Sequence, residues 1–316
     1  MRRGSRGVLV TGKISEIERL EEQAGFAVVN VVIPLFNGGY TIRRAIDSVL
    51  MQTFTDYRVL VVDDGSSDEG PNLVSAYNDS RVSLIRHRVN LGASAARNTG
   101  IAHSFGKYVA FLDADDSWRP EKLARQVAFM DERGEDLGAC FCDFMFHREV
   151  EEVRTPRARK EWFDSFLDGC VVSPGSTMIV RRSVYDHIGD YDVAFERLED
   201  WDWLLRCLDL FNVSTFPEVL ADIYVQGTPS FDKVERSAER MLEHHLDRVR
   251  EKRGAGGVAR FRSSLELEKM VARVRGGRYP LAAISMLKSV VSSPTRFVDF
   301  LSRRLLTARS TSTDTY

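Results

Sequence analysis

The residues best able to do chemistry in this sequence are acidic, and they stand where apolar runs end. "FLDADD" (111–116) sets Asp113, Asp115 and Asp116 directly after a hydrophobic stretch. Carboxylates crowded this closely repel one another and resist burial, so such a run needs a cation, hydrogen-bond donors or open water. One small residue separates Asp113 from Asp115, and an extended backbone brings both side chains to one neighbourhood. A hard divalent ion such as Mg²⁺ or Mn²⁺ takes oxygen ligands of this kind, often with substrate phosphates completing its shell. Asp63 and Asp64 close "VLVVDD", and Glu199, Asp200 and Asp202 fall within "RLEDWDWLLR". Taken singly, each group reads equally well as turn residues or as acids at a helix N-terminus.

The elements that must position these groups alternate. "AVVNVVIPLF" (27–36) is an apolar run suited to a strand buried on both faces, and "TIRRAIDSVLMQ" follows with apolar residues at helical spacing. "YRVLVVDDGSSD" repeats the strand, with a helix over 71–77, and "RVSLIRH" is a shorter strand. "NLGASAARNTGIAHS" reads as a loop entering a helix; "KYVAFLDADD" is a fourth strand and "PEKLARQVAFMDE" a helix with Pro120 at its start. Alternation of this kind implies an α/β fold with a mostly parallel sheet covered on both faces, and ligands at the carboxyl ends of its strands. Asn37, Asp64, Asp113 and Asp115 therefore converge on one edge. Further on, "LGACFCDFMF" reads as a strand, the charged 148–162 as a loop, and "SPGSTMIVRRSVYDHIGDYD" as a turn, a short strand and a helix. "ERLEDWDWLLRCLDL" runs from acids into a helix, "STFPEVLADIYV" is one strand or two, and helices dominate from Ser237 onward.

Composition narrows the function. A formal net charge of -2 gives no basic footprint for nucleic acid. Cys140, Cys142, Cys170 and Cys207 form no C-x-x-C pair and sit among apolar neighbours, which reads as buried thiols in a reducing compartment. No run approaches the length of a membrane span and no signal peptide opens the chain, so a cytoplasmic protein is expected. "FNGGYTIRRA" lacks the glycine spacing of a dinucleotide-binding turn, a phosphate-cradling G-x-x-x-x-G-K-[ST] is absent, and His244 and His245 read as a solvated helix surface.

Five segments in order, "VVIPLFN", "VLVVDDGSSD", "NLGASAARNTGI", "YVAFLDADD" and "LEDWDWLLR", resemble those of family 2 glycosyltransferases over roughly 28–225. That resemblance implies the GT-A fold, a Rossmann-like, mostly parallel mixed sheet flanked by helices, with a helical C-terminal appendage. It divides the chain into an extension (1–26), a catalytic domain (27–228, its nucleotide-binding half 27–118 and acceptor half 119–228) and a helical region (229–316). It also implies an inverting transfer of one sugar from a nucleotide-diphospho-sugar, UDP-linked, to a hydroxyl of a glycan or lipid-linked acceptor in polysaccharide synthesis.

Carried onto this sequence, the resemblance puts Pro34, Phe36 and Asn37 beside the nucleotide and Asp64 within reach of its base. Gly92 and Arg97 lie along the nucleotide, Arg97 either pairing with phosphate or serving as an ion-pair partner of the acids. Asp113 faces ribose and metal, Asp115 ligates Mn²⁺ or Mg²⁺, and Asp116 caps the following segment. Asp200 is the base, supported by Glu199. Gly175, Ser176 and Trp201 lie on the acceptor side, Trp201 and Trp203 offering a wall for a sugar face, with Trp203 equally a core residue. Val225 and Gln226 depart from the pattern, standing where basic groups are expected.

A Q-x-x-R-W segment and membrane spans are missing, which implies single additions rather than processive synthesis. The C-terminal "RYPLAAISMLKSVVSSPTRFVDFLSRRLLTAR" reads either as helices packed on the catalytic domain or as a basic amphipathic surface touching the inner face of a membrane. Two rival functions stand: nucleotidyl transfer, which needs a Gly-rich basic loop after the first strand, and a catalytically weak nucleotide-sugar-binding subunit of an assembly complex.

Overall fold

The computed structural model describes residues 27–147, 151–158, 161–170, 172–224 and 230–310, with side chains described through Ser302. The 1–26 extension and the departure at Val225 and Gln226 lie outside the described residues. β1 (Val29–Leu35), α1 (Ile42–Leu50), β2 (Tyr57–Asp63), α2 (Gly70–Ser75), β3 (Val82–Arg86), α3 (Ala93–Ala102) and β4 (Tyr108–Phe111) follow the expected alternation. β1 pairs in parallel with β2 and β4, and β2 with β3, so the carboxyl ends of these strands share one edge.

β5 (Ser117–Trp118), α4 (Lys122–Glu132), β6 (Leu137–His147), β7 (Glu152–Arg154), α5 (Trp162–Phe166), α6 (Pro174–Thr177), β8 (Ile179–Arg181), α7 (Arg182–Ile188), α8 (Glu199–Cys207) and β9 (Asn212–Tyr224) complete the sheet and its cover. The described residues form one nine-stranded sheet, ordered β3-β2-β1-β4-β8-β6-β9-β5, with β7 on β6. Its second half is mixed: β8 is antiparallel to β4 and β6, and β9 parallel to β6. "STFPEVLADIYV" belongs to a single strand, β9, whose register against β6 shifts near Cys142 and Asp143, as bulged strands do.

The charged segment expected as a loop contains β7. β8 pairs with β6 only at Ala139 and Cys140, which leaves the far end of that edge open, and Glu152–Arg154 fills it opposite Phe144–Phe146. Charge composition hid a strand that an available sheet edge stabilises.

Alternation along β1 sends Val29, Val31, Ile33 and Leu35 to one core, with Ile42, Ile46 and Val49 of α1, and Val32 to the other, with Ala96 and Ile101 of α3. Strands buried on both faces explain the near-continuous apolar runs. Gly100 lets α3 lie close on the sheet, since a Cβ there would fall 2.3 Å from Cγ1 of Val32. α9 (Phe231–Arg275), broken at Gly254 where φ is 63°, is followed by α10 (Tyr279–Ser292) and α11 (Pro294–Ser310). α9 is fastened to the sheet domain by Arg240 on Asp192, Arg253 on Asp164 and Arg260 on Asp168, and Phe261 meets Trp201 edge-on.

Candidate active site

A cleft of about 850 Å³ opens at the carboxyl edge of β1, β2 and β4. Pro34, Phe36, Asn37, Asp64, Gly92, Arg97, Asp113, Asp115 and Glu199 line it, so the chain brings together residues 165 positions apart, from 34 to 199. Phe36 is 52% exposed and belongs to the cleft mouth rather than the core. Asn37 staples two strand ends: its side-chain oxygen accepts from the Ser67 backbone N–H at 2.9 Å, and its own backbone N–H donates to the Ser66 hydroxyl.

Asp64 is buried and builds the neighbouring loop. It accepts from the amides of Leu91 (2.9 Å) and Gly92 (2.7 Å) and meets Nδ1 of His87 at 2.7 Å. Gly92, at φ 95°, then turns the chain into α3 and aims the helix N-terminus into the cleft, an arrangement suited to an anion. From the same helix Asn98 exchanges hydrogen bonds with the backbone of Tyr191, fixing the segment that leads to Glu199.

Arg97 resolves into one of its two readings. Its guanidinium donates to Glu199 at 2.8 Å and to Asp113 at 3.0 Å, so it bridges the β4 end and the start of α8 as an ion-pair partner, with both forks committed to protein. Burial opposes its charge, yet Asp200, Asp113 and Glu199 together push its pKa well above the ordinary value.

Asp200, one residue beyond Glu199, is outside the residues that line the cleft. Its Oδ1 is buried without a hydrogen-bond partner. Burial pushes its carboxyl up to about 7; Arg97 pulls it down, while Glu199 and Asp113 add to the rise. A carboxyl poised near neutrality is suited to taking a proton.

Asp113 and Asp115 fit a divalent cation. Both are hard oxygen donors facing the cleft, and burial, then Asp113, raises the Asp115 carboxyl above its usual range. Among the described residues no basic side chain bonds the Asp115 carboxylate; Arg44 reaches only its backbone carbonyl. Gly175 supports Asp113 by closeness, because a Cβ there would fall 2.3 Å from Asp113 Oδ2. Gly175→Ala is expected to displace Asp113 from Arg97 and to lower kcat by about 10²-fold with the fold retained, since misplacements of about 1 Å cost that much. Steady-state donor turnover beside a melting curve checks it.

Four expectations are corrected. Ser176 turns away from the cleft: its buried hydroxyl donates to Asp116 and accepts from the Asp113 amide. Asp116 caps no helix, and instead accepts from Ser176 and from the Tyr224 amide, tying β4 to β9. Trp201 is 1% exposed, its indole N–H donating to the Phe166 carbonyl at 2.7 Å, so it is core rather than a sugar wall, as is Trp203. His245 is buried, its Nε2 2.9 Å from Asp202, with His244 beside it. Burial works against the Asp202 charge, yet His245 and Arg206 hold its carboxyl below the ordinary range, and the histidine contacts dock α9 on α8.

Sequence reasoning missed Arg197 and Lys233, both cleft-lining cations that no motif marks. It also missed the backbone: Asn37, Ser173 and Leu198 have φ of 49°, 47° and 64°, the positive-φ non-glycine residues among those described. Asn37 lines the cleft and Leu198 directly precedes Glu199, which does, and left-handed backbone at such residues costs about 1–2 kcal/mol.

A family model described as glycosyl transferase family 2 matches residues 30–189, half of the sequence. The chain belongs to glycosyl transferase family 2. This family 2 glycosyltransferase is 40% identical over 103 residues to the UDP-Glc:alpha-D-GlcNAc-diphosphoundecaprenol beta-1,3-glucosyltransferase WfgD of Escherichia coli, a match covering 33% of this chain and 41% of that relative. It thus spans less than two thirds of that relative's length. Its fold is that of TarS 1-349 of S. aureus in complex with UDP, at TM-score 0.57 and 18% identity, covering 87% of this chain and 91% of that one. The mannosyltransferase PcManGT of Pyrobaculum calidifontis, solved with GDP-Man and Mn2+, is equally similar at TM-score 0.57 and 17% identity, covering 93% and 87%. The GT-A fold expected from the sequence is the fold observed.

Proposed function

We propose that the cleft binds a nucleotide-diphospho-sugar, UDP-linked, and that the enzyme moves its sugar, with inversion, to a hydroxyl of a glycan or lipid-linked acceptor in polysaccharide synthesis. One observation carries the reading: Asp200, whose Oδ1 is buried without a partner and whose carboxyl is pushed up to about 7, adjoins Glu199, which Arg97 neutralises and which lines a cleft with Asp113 and Asp115. The named activity of the WfgD relative supports the donor and acceptor classes.

In this mechanism Phe36 and Pro34 hold the nucleobase at the mouth, and the amides opening α3 face the diphosphate. Asp113 and Asp115 would hold a divalent cation, which supplies neutralisation of the charge gathered by the leaving diphosphate. Arg197 and Lys233 line the same cleft and would add positive charge toward the leaving diphosphate. In the ionised form Asp200 takes the proton of the incoming hydroxyl as it attacks the anomeric carbon, while Arg97 keeps Glu199 in place and prevents two free carboxylates from meeting.

Hydrolysis of a panel of nucleotide-sugars by the purified chain with Mn²⁺ or Mg²⁺, beside Asp115→Ala, tests the donor assignment. Release of one nucleoside diphosphate that requires metal, and falls by about 10²-fold or more in Asp115→Ala, is expected. Tight nucleotide binding without turnover on any donor or acceptor would favour the binding-subunit alternative.

A further inference from the structure

α10 is built inside out. The stripe it turns toward α9 is small and polar: Ala282, Ser285 and Ser289 are buried, Ser285 bonded to Arg273 and Glu266, and Ser289 2.7 Å from the Ser263 hydroxyl. Its outward face is aliphatic, with Ile284 49%, Leu287 63% and Val291 75% exposed, and Leu281 and Met286 beside them. A helix on a water-facing surface normally has the opposite polarity, and contiguous exposed aliphatics mark a surface with a partner.

Charge around this face selects the partner. Between Tyr279 and Ser292 the only ionisable side chains are those of Tyr279 and Lys288, and neither is an acid at neutral pH. A groove of about 340 Å³ between α9 and α10 is lined by Leu242, Leu265, Leu287 and Val291 together with Arg262, Lys269 and Lys288. Its one acid, Glu266, is engaged by Lys269 at 3.6 Å and by the Ser285 hydroxyl. A second groove, sharing Arg262 and Ser292, adds Arg250, which pairs at 2.7 Å with the exposed Asp247. A second copy packed isologously on this face would bring like charges together, whereas phosphate-bearing headgroups over acyl chains match both its charge and its apolarity.

We propose that the α9–α10 face docks on the surface of an anionic lipid bilayer, with the α10 aliphatics at the acyl boundary and Arg250, Arg262 and Lys288 at headgroup phosphates. Among the described residues no helix is long and apolar enough to cross a membrane, so the contact is peripheral. It is independent of what the cleft transfers.

Vesicle flotation of the full chain reads this directly, using phosphatidylcholine vesicles with and without phosphatidylglycerol. Salt-sensitive flotation with the anionic vesicles is expected, weakened about tenfold or more in Leu287→Glu/Val291→Glu and, separately, in Arg262→Ala/Lys288→Ala. Melting temperature and donor hydrolysis are expected to stay at wild-type values. Absence of flotation, flotation indifferent to both double variants, or a vesicle-free dimer that the same substitutions dissociate would each overturn the proposal.

Discussion

Asp200→Asn is expected to lower kcat by about three orders of magnitude while nucleotide affinity stays within about twofold, the pattern of a lost general base. The amide keeps the shape of the carboxylate and cannot accept the proton. Arg97 sets the contrast with Glu199: that carboxylate is bound at 2.8 Å, whereas Asp200 Oδ1 has no partner. With Asp200 as the proposed base, acting in its ionised form, wild-type turnover should fall as pH drops below about 7, where burial has pushed its carboxyl. The same shift has an opposite signature in stability. The unfolded carboxyl ionises near 4, the folded one near 7, so stability is fullest below about 4 and declines as pH rises between those values. Asp200→Asn should therefore melt higher than wild type at pH 8 and close to it at pH 4. Full activity in Asp200→Asn with a dead Glu199→Gln would transfer the role to Glu199, which lines the cleft where Asp200 does not.

Arg97→Met should cost about 3–5 kcal/mol of stability, the typical effect of removing one partner from a buried ion pair. Glu199, Asp113 and Asp200 would be left facing one another without their shared cation. Arg97 is also the first influence that pulls the Asp200 carboxyl down, so its loss should move the acid limb of the activity profile to higher pH. Arg97→Lys should recover part of the stability, because an ammonium is a point charge that cannot reproduce the two-pronged bridge. Denaturant unfolding and pH–rate curves of the three proteins measure both effects. An unshifted profile in a stably folded Arg97→Met would remove Arg97 from the tuning of Asp200.

Strand ends were readable because residues buried on both faces of a sheet leave continuous apolar runs, and polar residues that interrupt them fall at the cleft edge. Asn37, Asp64, Asp113 and Asp115 were found that way, and Phe36 came from the family resemblance. Other features needed the third dimension. Arg97 chooses between phosphate and carboxylate by the position of a helix start 102 residues away. Ser176 and Asp116 find each other across 60 residues, and β7 exists because β6 has an open edge. Two misreadings did have a signal in the sequence. Trp201, Leu204, Leu205 and Leu208 recur at helical spacing, which places Trp201 on the core stripe of α8 rather than beside Asp200. Met241, His245 and Val249 do the same for His245 on α9. In both cases neighbours in sequence were weighed above neighbours on the helix face.

Calorimetric titration of UDP into the protein, with and without Mn²⁺, and into Asp115→Ala, addresses the donor site most directly. Binding to wild type that requires the metal and disappears in the variant is the expected result. Failure of UDP and every other nucleoside diphosphate to bind in the presence of metal, or binding indifferent to Asp115, would contradict the assignment of this cleft as a nucleotide-sugar site.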